Sequence, residues 1–352
     1  MQWSTVFIYT DIYKVRETVN TSAAKEPYTV MPSTFETQLF FSRPFLSKKQ
    51  IQRAHKNTIS DYRNYNQKKL AVFKFLSDLC VQLKFPRKTL ETAVYFYQRY
   101  HLFNRFETEL CYTVATSCLT LSCKEVETIK KANDICTLSL HLRNVVKINT
   151  EILENFKKRV FQIELRILES CSFDYRVNNY VYIDEYVIKI GRELSFDYKL
   201  CKLAWLIAYD ALKLETVLVI PQHSIALAIL RIAYELLDNK NWSSKRYSLF
   251  ESDENSVNEA YFDILNFYIN SFDLCDLQHH LPEGVPPVSI DRFMVLKKNA
   301  GPEFGLQQIS DHELEADSYI TISRENTVQE RRYVLSMDLI NGESNSVHSK
   351  HA

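Results

Sequence analysis

Glycine and proline are scarce in the central part of this 352-residue chain. Only five glycines occur, Gly191 is the sole one before residue 284, and no proline lies between Pro86 and Pro221. Hairpin sheets and α/β nucleotide-binding folds need glycine at their tight turns, whereas glycine and proline both destabilise helix interiors. The scarcity therefore predicts an all-α body, and the length allows two domains of ordinary size.

Composition and charge exclude several classes of protein. The chain is 46% hydrophobic and 24% charged, as globular proteins are, and its formal net charge of zero creates no global attraction to nucleic acid. Eight cysteines occur without a C-x-x-C pair or histidines at zinc-ligand spacing, which indicates free thiols in a reducing compartment. No apolar run reaches the ~18 residues of a membrane span. We expect no metal, cofactor, disulfide or membrane segment.

A basic stretch precedes the main helical pattern. Its only acid is Asp61, and Ser47 is positioned to cap a helix that runs to about Tyr62. The lysines and arginines of this stretch are Arg43, Lys48, Lys49, Arg53, Lys56, Arg63, Lys68, Lys69 and Lys74. Two interpretations are open, a solvated helix face and a surface for phosphate or an acidic partner, and the solvated face is favoured.

Two long apolar helical patterns each carry one charge at an unusual position. Glu164 lies between Val160 and Leu168 at a spacing of four, which places all three on one helix face. Lys124 follows the apolar row that ends with Leu121. A carboxylate on an apolar face needs a nearby cation or an interface, and Lys124 is the candidate cation. From spacing alone, the alternative is that Lys124 complements a helix C-terminus and Glu164 reaches water at the edge of the face.

Three segments of the sequence resemble the first box of the cyclin family: TAVYFYQRYHLF, VATSCLTLSCKEVET and IELRILESCSFDY. They are most similar to the transcriptional cyclins of types C, K, L and T. QLFFSRPFLSK and SDYRNYNQKKLAVFKFL are similar to the cyclin subunits of fungal kinases that phosphorylate the RNA polymerase II C-terminal domain. The resemblance implies an all-α fold of two tandem five-helix cyclin boxes, with an N-terminal helix and a poorly ordered C-terminal tail.

The organisation predicted on this basis has five parts. They are an extension that is disordered or comes from an over-extended gene prediction (1–30), a basic segment with a helix (31–66), the first box (67–176), the second box (177–276) and the tail (277–352). The first-box helices are expected over about 67–84, 88–103, 107–124, 132–143 and 151–170. In the second box, a polar loop (241–256) leads to a last helix over about 256–272. Two alternating stretches of the tail, 319–323 and 331–339, are expected to form strands or to bind a partner.

The resemblance also implies a binding site. In cyclins, a lysine and a glutamate at the positions of Lys124 and Glu164 bind the regulatory helix of a cyclin-dependent kinase. The other residues of the implied kinase interface are Leu121, Leu168, Phe173 and Tyr175. A catalytic role is not expected, because the chain has no Gly-rich phosphate loop and no H-R-D, D-F-G, H-E-x-x-H or G-x-S-x-G motif.

The implied function is that of a regulatory subunit, not an enzyme. It would bind and activate a cyclin-dependent kinase that phosphorylates the heptad repeats of RNA polymerase II, in transcription elongation and linked mRNA processing. The implied partners are the kinase catalytic subunit, a third subunit of the complex and the repeats as substrate, in the nucleus with the cytoplasm as a second compartment. The alternatives are a two-box nucleic-acid-binding factor of the transcription factor IIB type, whose zinc ribbon is missing here, and a kinase-independent helical adaptor.

Overall fold

The computed structural model describes residues 38–174, 182–239, 242–321 and 331–334. Residues 1–30, for which the sequence predicts a separate extension, lie outside the described residues.

The predicted N-terminal helix and the first helix of the box are both present, and each has a capped N-terminus. The first, α1 (Lys48–Thr58), starts with a capping box in which Ser47 and Gln50 each bond the backbone N–H of the other. It ends at Thr58 because Asp61 accepts the N–H of Asn64 and starts a new helix, α2 (Tyr62–Leu83). The break therefore falls before Tyr62, and the first helix of the box begins about five residues earlier than expected.

Five helices form the first box, as predicted. They are α2, α3 (Arg87–Phe103), α4 (Cys111–Glu125), α5 (Ala132–Leu142) and α6 (Thr150–Ser170). Helix α3 is central, and every residue from Thr89 to Phe103 is buried because α1, α2, α4 and α6 all pack against it. A helix enclosed on all sides has no polar face. Its two buried charges, Glu91 and Arg99, must therefore find partners inside the protein.

The second box has the same layout around a different central helix. Its helices are α7 (Ile183–Glu193), α8 (Tyr198–Ala211), α9 (Gln222–Leu236), α10 (Lys245–Leu249) and α11 (Glu254–Asn270). Helix α9 packs against α7, α8 and α11. Ala226, Ala228 and Ala233 are fully buried, and their small side chains let the neighbouring helices approach closely, as the sequence predicts. The all-α class with two tandem five-helix boxes is confirmed.

Helix α10 corrects the prediction of a polar loop over 241–256. The segment is anchored by two aromatic residues, because Tyr247 is buried and its hydroxyl accepts the indole N–H of Trp242 at 3.0 Å. Because polar residues surround Tyr247 and Trp242, the sequence pattern of this segment does not indicate a helix. Asp253 then caps α11 by accepting the backbone N–H groups of Asn255 and Ser256.

The C-terminal segment folds back onto the boxes. Helix α12 (Ile290–Asn299) packs on α9 and α11, while α13 (Asp311–Ala316) and α14 (Ser318–Thr321) pack on α1. Phe293 is fully buried and stacks on Tyr268 with 4.4 Å between ring centroids. Residues 277–321 are therefore folded onto the boxes, which corrects the prediction of a poorly ordered tail for this part of the chain. Phe293 and Leu296 of α12 pack on the core at helical spacing, but the glycines and prolines around the helix are typical of a poorly ordered segment.

The second of the two alternating stretches of the tail contains a strand, and the described part of the first stretch is helical. Strand β2 (Arg331–Val334) lies in the second stretch and pairs in parallel with β1 (Gln38–Phe41). The described part of the first stretch, residues 319–321, is helical rather than a strand, because Asp317 caps a helical turn there. Its side chain accepts the N–H of Tyr319 at 3.2 Å and its carbonyl accepts the N–H of Ile320 at 3.2 Å.

Part of the basic stretch from Arg43 to Lys74 contacts other parts of the molecule, which corrects the prediction of a solvated face for those residues. Four of its residues form ion pairs with acids of the second box or the C-terminal segment. The pairs are Arg43–Asp317 at 2.7 Å, Lys48–Asp263 at 2.6 Å, Lys49–Asp311 at 2.8 Å and Lys69–Glu215 at 2.9 Å. The side chains of Lys56, Arg63 and Lys74 are exposed, as the prediction of a solvated face has it.

A buried carboxyl connects the two boxes. Glu91 of α3 is 5% exposed and accepts the N–H of Ile183, the first residue of α7, at 3.1 Å. Burial, and then the charge of nearby Asp184, raises the pKa of Glu91 to about 8, against the opposing effect of Arg87. Because a carboxyl with a raised pKa binds its proton more tightly in the folded chain, the folded state loses stability as pH rises from the unfolded value toward 8.

Replacing Glu91 by glutamine is expected to remove this pH dependence. Between about pH 5.5 and about pH 7.5, the free energy of unfolding of the parent should fall by on the order of 2 kcal/mol more than that of Glu91→Gln. Urea unfolding at several pH values measures the difference, with the exposed Glu193→Gln as the control. Equal slopes in all three proteins would mean that Glu91 is ionised throughout this range.

Candidate functional site

Lys124 and Glu164 form the ion pair that the sequence predicts. Lys124 lies near the C-terminal end of α4, and its Nζ donates to both carboxylate oxygens of Glu164 in α6, at 2.9 Å to Oε1 and 2.7 Å to Oε2. The lysine side chain is 55% exposed and the glutamate side chain only 12%. The pair therefore lies at the surface with the cation outermost, where a partner can reach it.

Small polar side chains fix the two helices that carry the pair. The Ser117 hydroxyl of α4 donates to the carbonyl of Val160 in α6 at 2.7 Å, and both residues are fully buried. The Ser122 hydroxyl donates to the carbonyl of Thr89 at 2.6 Å and so ties the end of α4 to α3. Because these bonds join side chains to main chain in a dry core, they fix the positions of Lys124 and Glu164 relative to each other.

Glu164 is held in an environment that does not favour its charge. Burial raises its pKa above the ordinary value, while the hydrogen bonds and charge of Lys124 act in the opposite direction without fully offsetting burial. Because Glu164 binds its proton more tightly in the folded chain, the free energy of unfolding falls as pH rises from the unfolded pKa of this carboxyl to its folded pKa. A charge retained at a cost in stability, in a place that a partner can reach, is typical of a binding residue.

Exposed apolar side chains lie along α6 around the pair. Phe161 and Leu165 are 43% and 48% exposed, and Phe173, three residues beyond the helix end, is 39% exposed. The ammonium of Lys124 lies 5.3 Å from the centroid of the Phe161 ring. We call Lys124, Phe161, Glu164, Leu165 and Phe173 the α6 surface. Large apolar groups exposed around a charged pair mark an interaction surface.

The other residues of the predicted kinase interface differ in burial. Leu121 is 9% exposed and belongs to the core, and Leu168 is half-buried against it. Tyr175 lies outside the described residues. The α6 surface also contains Phe161 and Leu165, which the prediction from sequence does not include. Phe161 lies three residues before Glu164 and four before Leu165, so helical spacing places it beside both and the signal was present in the sequence.

Within the described part of the chain, no group of His, Cys, Asp and Glu residues could hold a metal ion. The helices of this part also include none long and apolar enough to span a bilayer. The α6 surface combines one ion pair with aromatic and aliphatic area, which are the elements of a protein interface.

Comparisons with known proteins identify the family. Residues 41–176 match the family described as "Cyclin, N-terminal domain". The chain is 88% identical over 314 residues to the CTD kinase subunit beta of Saccharomyces cerevisiae, covering 89% of this chain and 97% of that protein. This chain is a cyclin. The cyclin is also 31% identical over 202 residues to the CTD kinase subunit beta of Schizosaccharomyces pombe, covering 55% of this chain and 58% of that protein.

Further similarities agree with the transcriptional type. The cyclin is 26% identical over 220 residues to Cyclin-K of Danio rerio, covering 61% of this chain and 52% of that protein. Among solved structures it matches a chain of the crystal structure of the yeast RNA Pol II CTD kinase CTDK-1 complex with a TM-score of 0.86 and 88% identity. That match covers 88% of this cyclin and 100% of the other chain.

Proposed function

We propose that this cyclin is the regulatory subunit of a CTD kinase. It binds a cyclin-dependent kinase catalytic subunit and activates it toward the heptad repeats of RNA polymerase II, in transcription elongation and linked mRNA processing. The observation that carries the proposal is the Lys124–Glu164 pair on an exposed apolar helix face, in a chain 88% identical to a CTD kinase subunit beta. The substrate places the complex in the nucleus, and a third subunit is an expected partner.

Activation would proceed by differential binding. A cyclin that binds the active conformation of its kinase more tightly than the inactive one shifts the population toward the active conformation. In that conformation the regulatory helix of the kinase lies inward and completes the Lys–Glu pair that holds the ATP phosphates. The cyclin contributes no reacting group, so its effect on the rate depends entirely on this difference in affinity.

The charged and the apolar residues of the α6 surface have different roles in the proposed binding. Lys124 has three N–H donors, and at 55% exposure the ammonium retains capacity for a carbonyl of the kinase. Glu164 can accept a kinase N–H while it stays bonded to Lys124. A pair of this kind sets register and specificity more than net affinity. Phe161, Leu165 and Phe173 supply the area whose burial carries most of the affinity, and we include Leu121, Leu168 and Tyr175 in the proposed interface as supporting residues.

A pull-down with the full chain from fungal nuclear extract tests this function. The parent is compared with the double variant Lys124→Ala, Glu164→Ala, and the eluates are assayed for phosphorylation of a polymerase heptad-repeat peptide. We expect kinase activity with the parent and roughly tenfold less with the variant. The loss is limited because the variant lacks both charges, so neither charge is buried in the complex without its partner. This loss is smaller than the loss expected on replacing the apolar residues of the α6 surface, because burial of the apolar area carries most of the affinity.

A second exposed lysine–glutamate pair provides the matched control. Lys189 and Glu185 of α7 lie 3.4 Å apart, with side chains 62% and 42% exposed, and their double alanine variant should retrieve as much kinase activity as the parent. Activity retained by the Lys124, Glu164 variant would show that the pair does not contribute to kinase binding. If neither parent nor variants retrieve a kinase, and nucleic acid is retrieved instead, the transcription factor IIB type of function is the better explanation.

A further inference from the structure

The chain makes an unusual turn where α6 ends. Ser172 and Phe173 have φ values of +54° and +57°, in the left-handed region that residues other than glycine seldom adopt. The N–H of Phe173 bonds to the carbonyl of Leu168 at 2.8 Å, and the turn directs the Phe173 ring to the surface, where it is 39% exposed. Two consecutive residues in this conformation persist only where the surroundings hold them.

A tyrosine from the C-terminal segment holds this turn. Tyr319 of α14 is 2% exposed, and its hydroxyl forms a 2.9 Å hydrogen bond with the Ser172 hydroxyl. The same hydroxyl accepts an N–H from the buried guanidinium of Arg99 at 2.8 Å. The edge of its ring packs against Phe103 at 5.5 Å between centroids. The phenol therefore fills a position between α3 and the end of α6.

Arg99 connects the same turn to two other parts of the chain. Its Nε donates to the carbonyl of Ser170, the last residue of α6, at 2.9 Å. Its Nη2 donates to the carbonyl of Arg43 in the N-terminal flank at 2.6 Å. Because a buried guanidinium is costly to leave without acceptors, Arg99, the end of α6 and the Tyr319 hydroxyl form one network whose members depend on one another.

The segment that presents Tyr319 is anchored on both sides. Asp317 accepts hydrogen bonds from Arg43 and from Gln50, each at 2.7 Å. Farther along the chain, the hydroxyl of Tyr333 donates to Glu169 of α6 at 3.1 Å, and its ring lies 5.8 Å from that of Phe173. We call residues 310–321 the C-terminal strap. It crosses the N-terminal helix and ends at the α6 surface.

We propose that Tyr319 is a positioning residue of the kinase interface. The C-terminal strap holds the Ser172–Phe173 turn through the Tyr319 hydroxyl, so that Phe173 is presented to the kinase in a fixed orientation. This inference rests on the proposed function, because Phe173 is part of the α6 surface. A segment outside both boxes thereby affects kinase affinity through Phe173.

The test replaces Tyr319 by phenylalanine in the full chain, which removes one hydroxyl and keeps the ring. Hydrogen exchange of the free chain should show faster exchange at the amides of Ser172 and Phe173. Affinity for the kinase catalytic subunit should fall about fivefold, as expected for one lost hydrogen bond that holds a binding residue. Both measurements are made on the same preparations.

Tyr268→Phe is the matched control. Tyr268 is also fully buried, and its hydroxyl donates to Asp210 at 3.1 Å in the second box. This variant loses a comparable bond far along the chain from the turn, so it should leave the exchange at Ser172 and the kinase affinity at parental values. A general loss of stability would affect the two variants alike and is thereby separated from positioning.

Each outcome decides a specific point. Unchanged exchange at the turn in Tyr319→Phe overturns the role of the strap, and so does faster exchange with parental affinity or a rise in affinity. If the parent itself does not bind the kinase, the proposed function fails. The exchange measurement still decides in that case whether Tyr319 holds the turn, because it needs no kinase.

Discussion

Replacing Phe161 and Leu165 together by alanine is expected to weaken kinase binding by roughly a hundredfold or more, since buried aromatic and aliphatic anchors contribute most of the affinity of an interface. In the free cyclin these side chains are 43% and 48% exposed, so the free energy of unfolding should stay within about 0.5 kcal/mol of the parent. A titration of the kinase catalytic subunit against each protein measures the first quantity, and urea unfolding measures the second.

The second box contains a control pair of similar chemistry. Tyr198 and Leu249 are 78% and 70% exposed, and their double alanine variant removes one aromatic and one leucine from the surface, as the test variant does. It should bind the kinase like the parent. If the Phe161, Leu165 variant also binds like the parent, the α6 surface is not the kinase interface, whatever the behaviour of the Lys124–Glu164 pair.

The sequence predicts the parts of the fold that depend on local pattern. Helix α3 is enclosed on every side, and its length without glycine or proline and its many apolar and aromatic residues identify it without reference to any partner. The pairing of Lys124 with Glu164 is different, because spacing alone left two interpretations and the resemblance to cyclins favoured one. The 2.7 Å contact now confirms that the two charges meet. Their role toward a kinase stays a prediction.

What the sequence does not predict depends on contacts between distant residues. Tyr319 and Phe293 each fill a buried position in the boxes, but the apolar patterns that accompany them are short: within α12, only Phe293 and Leu296 pack on the core. Their segment is rich in glycine and proline, which is typical of a poorly ordered tail. In the same way, Leu121 and Leu165 both fit an apolar helix face, but only the packing of α4 on α6 decides that the first is buried and the second exposed.

Asp210 is the centre of a buried network that fixes the end of the second box. Its carboxylate is fully buried and accepts four hydrogen bonds: from Lys213 Nζ at 2.7 Å, the N–H of Asp276 at 2.8 Å, the N–H of Leu277 at 2.9 Å and the hydroxyl of Tyr268 at 3.1 Å. Burial lowers the pKa of Lys213, but Asp210 and Asp276 together outweigh burial and raise it above its ordinary value. The lysine therefore keeps its charge inside the protein because Asp210 is there.

Replacing Asp210 by alanine is expected to lower the free energy of unfolding by about 3–5 kcal/mol, because it leaves a buried ammonium and several donors without their acceptor. Urea unfolding measures the loss, and the exposed neighbour Asp273→Ala should change stability by no more than about 0.5 kcal/mol. Asp210→Asn keeps the shape and one acceptor oxygen, so it should lie between these values. The order of the three variants matters more than any single value, since only a network centred on the Asp210 charge places the asparagine variant in the middle. A loss below about 1 kcal/mol for the alanine variant would show that Asp276 alone is sufficient to hold Lys213.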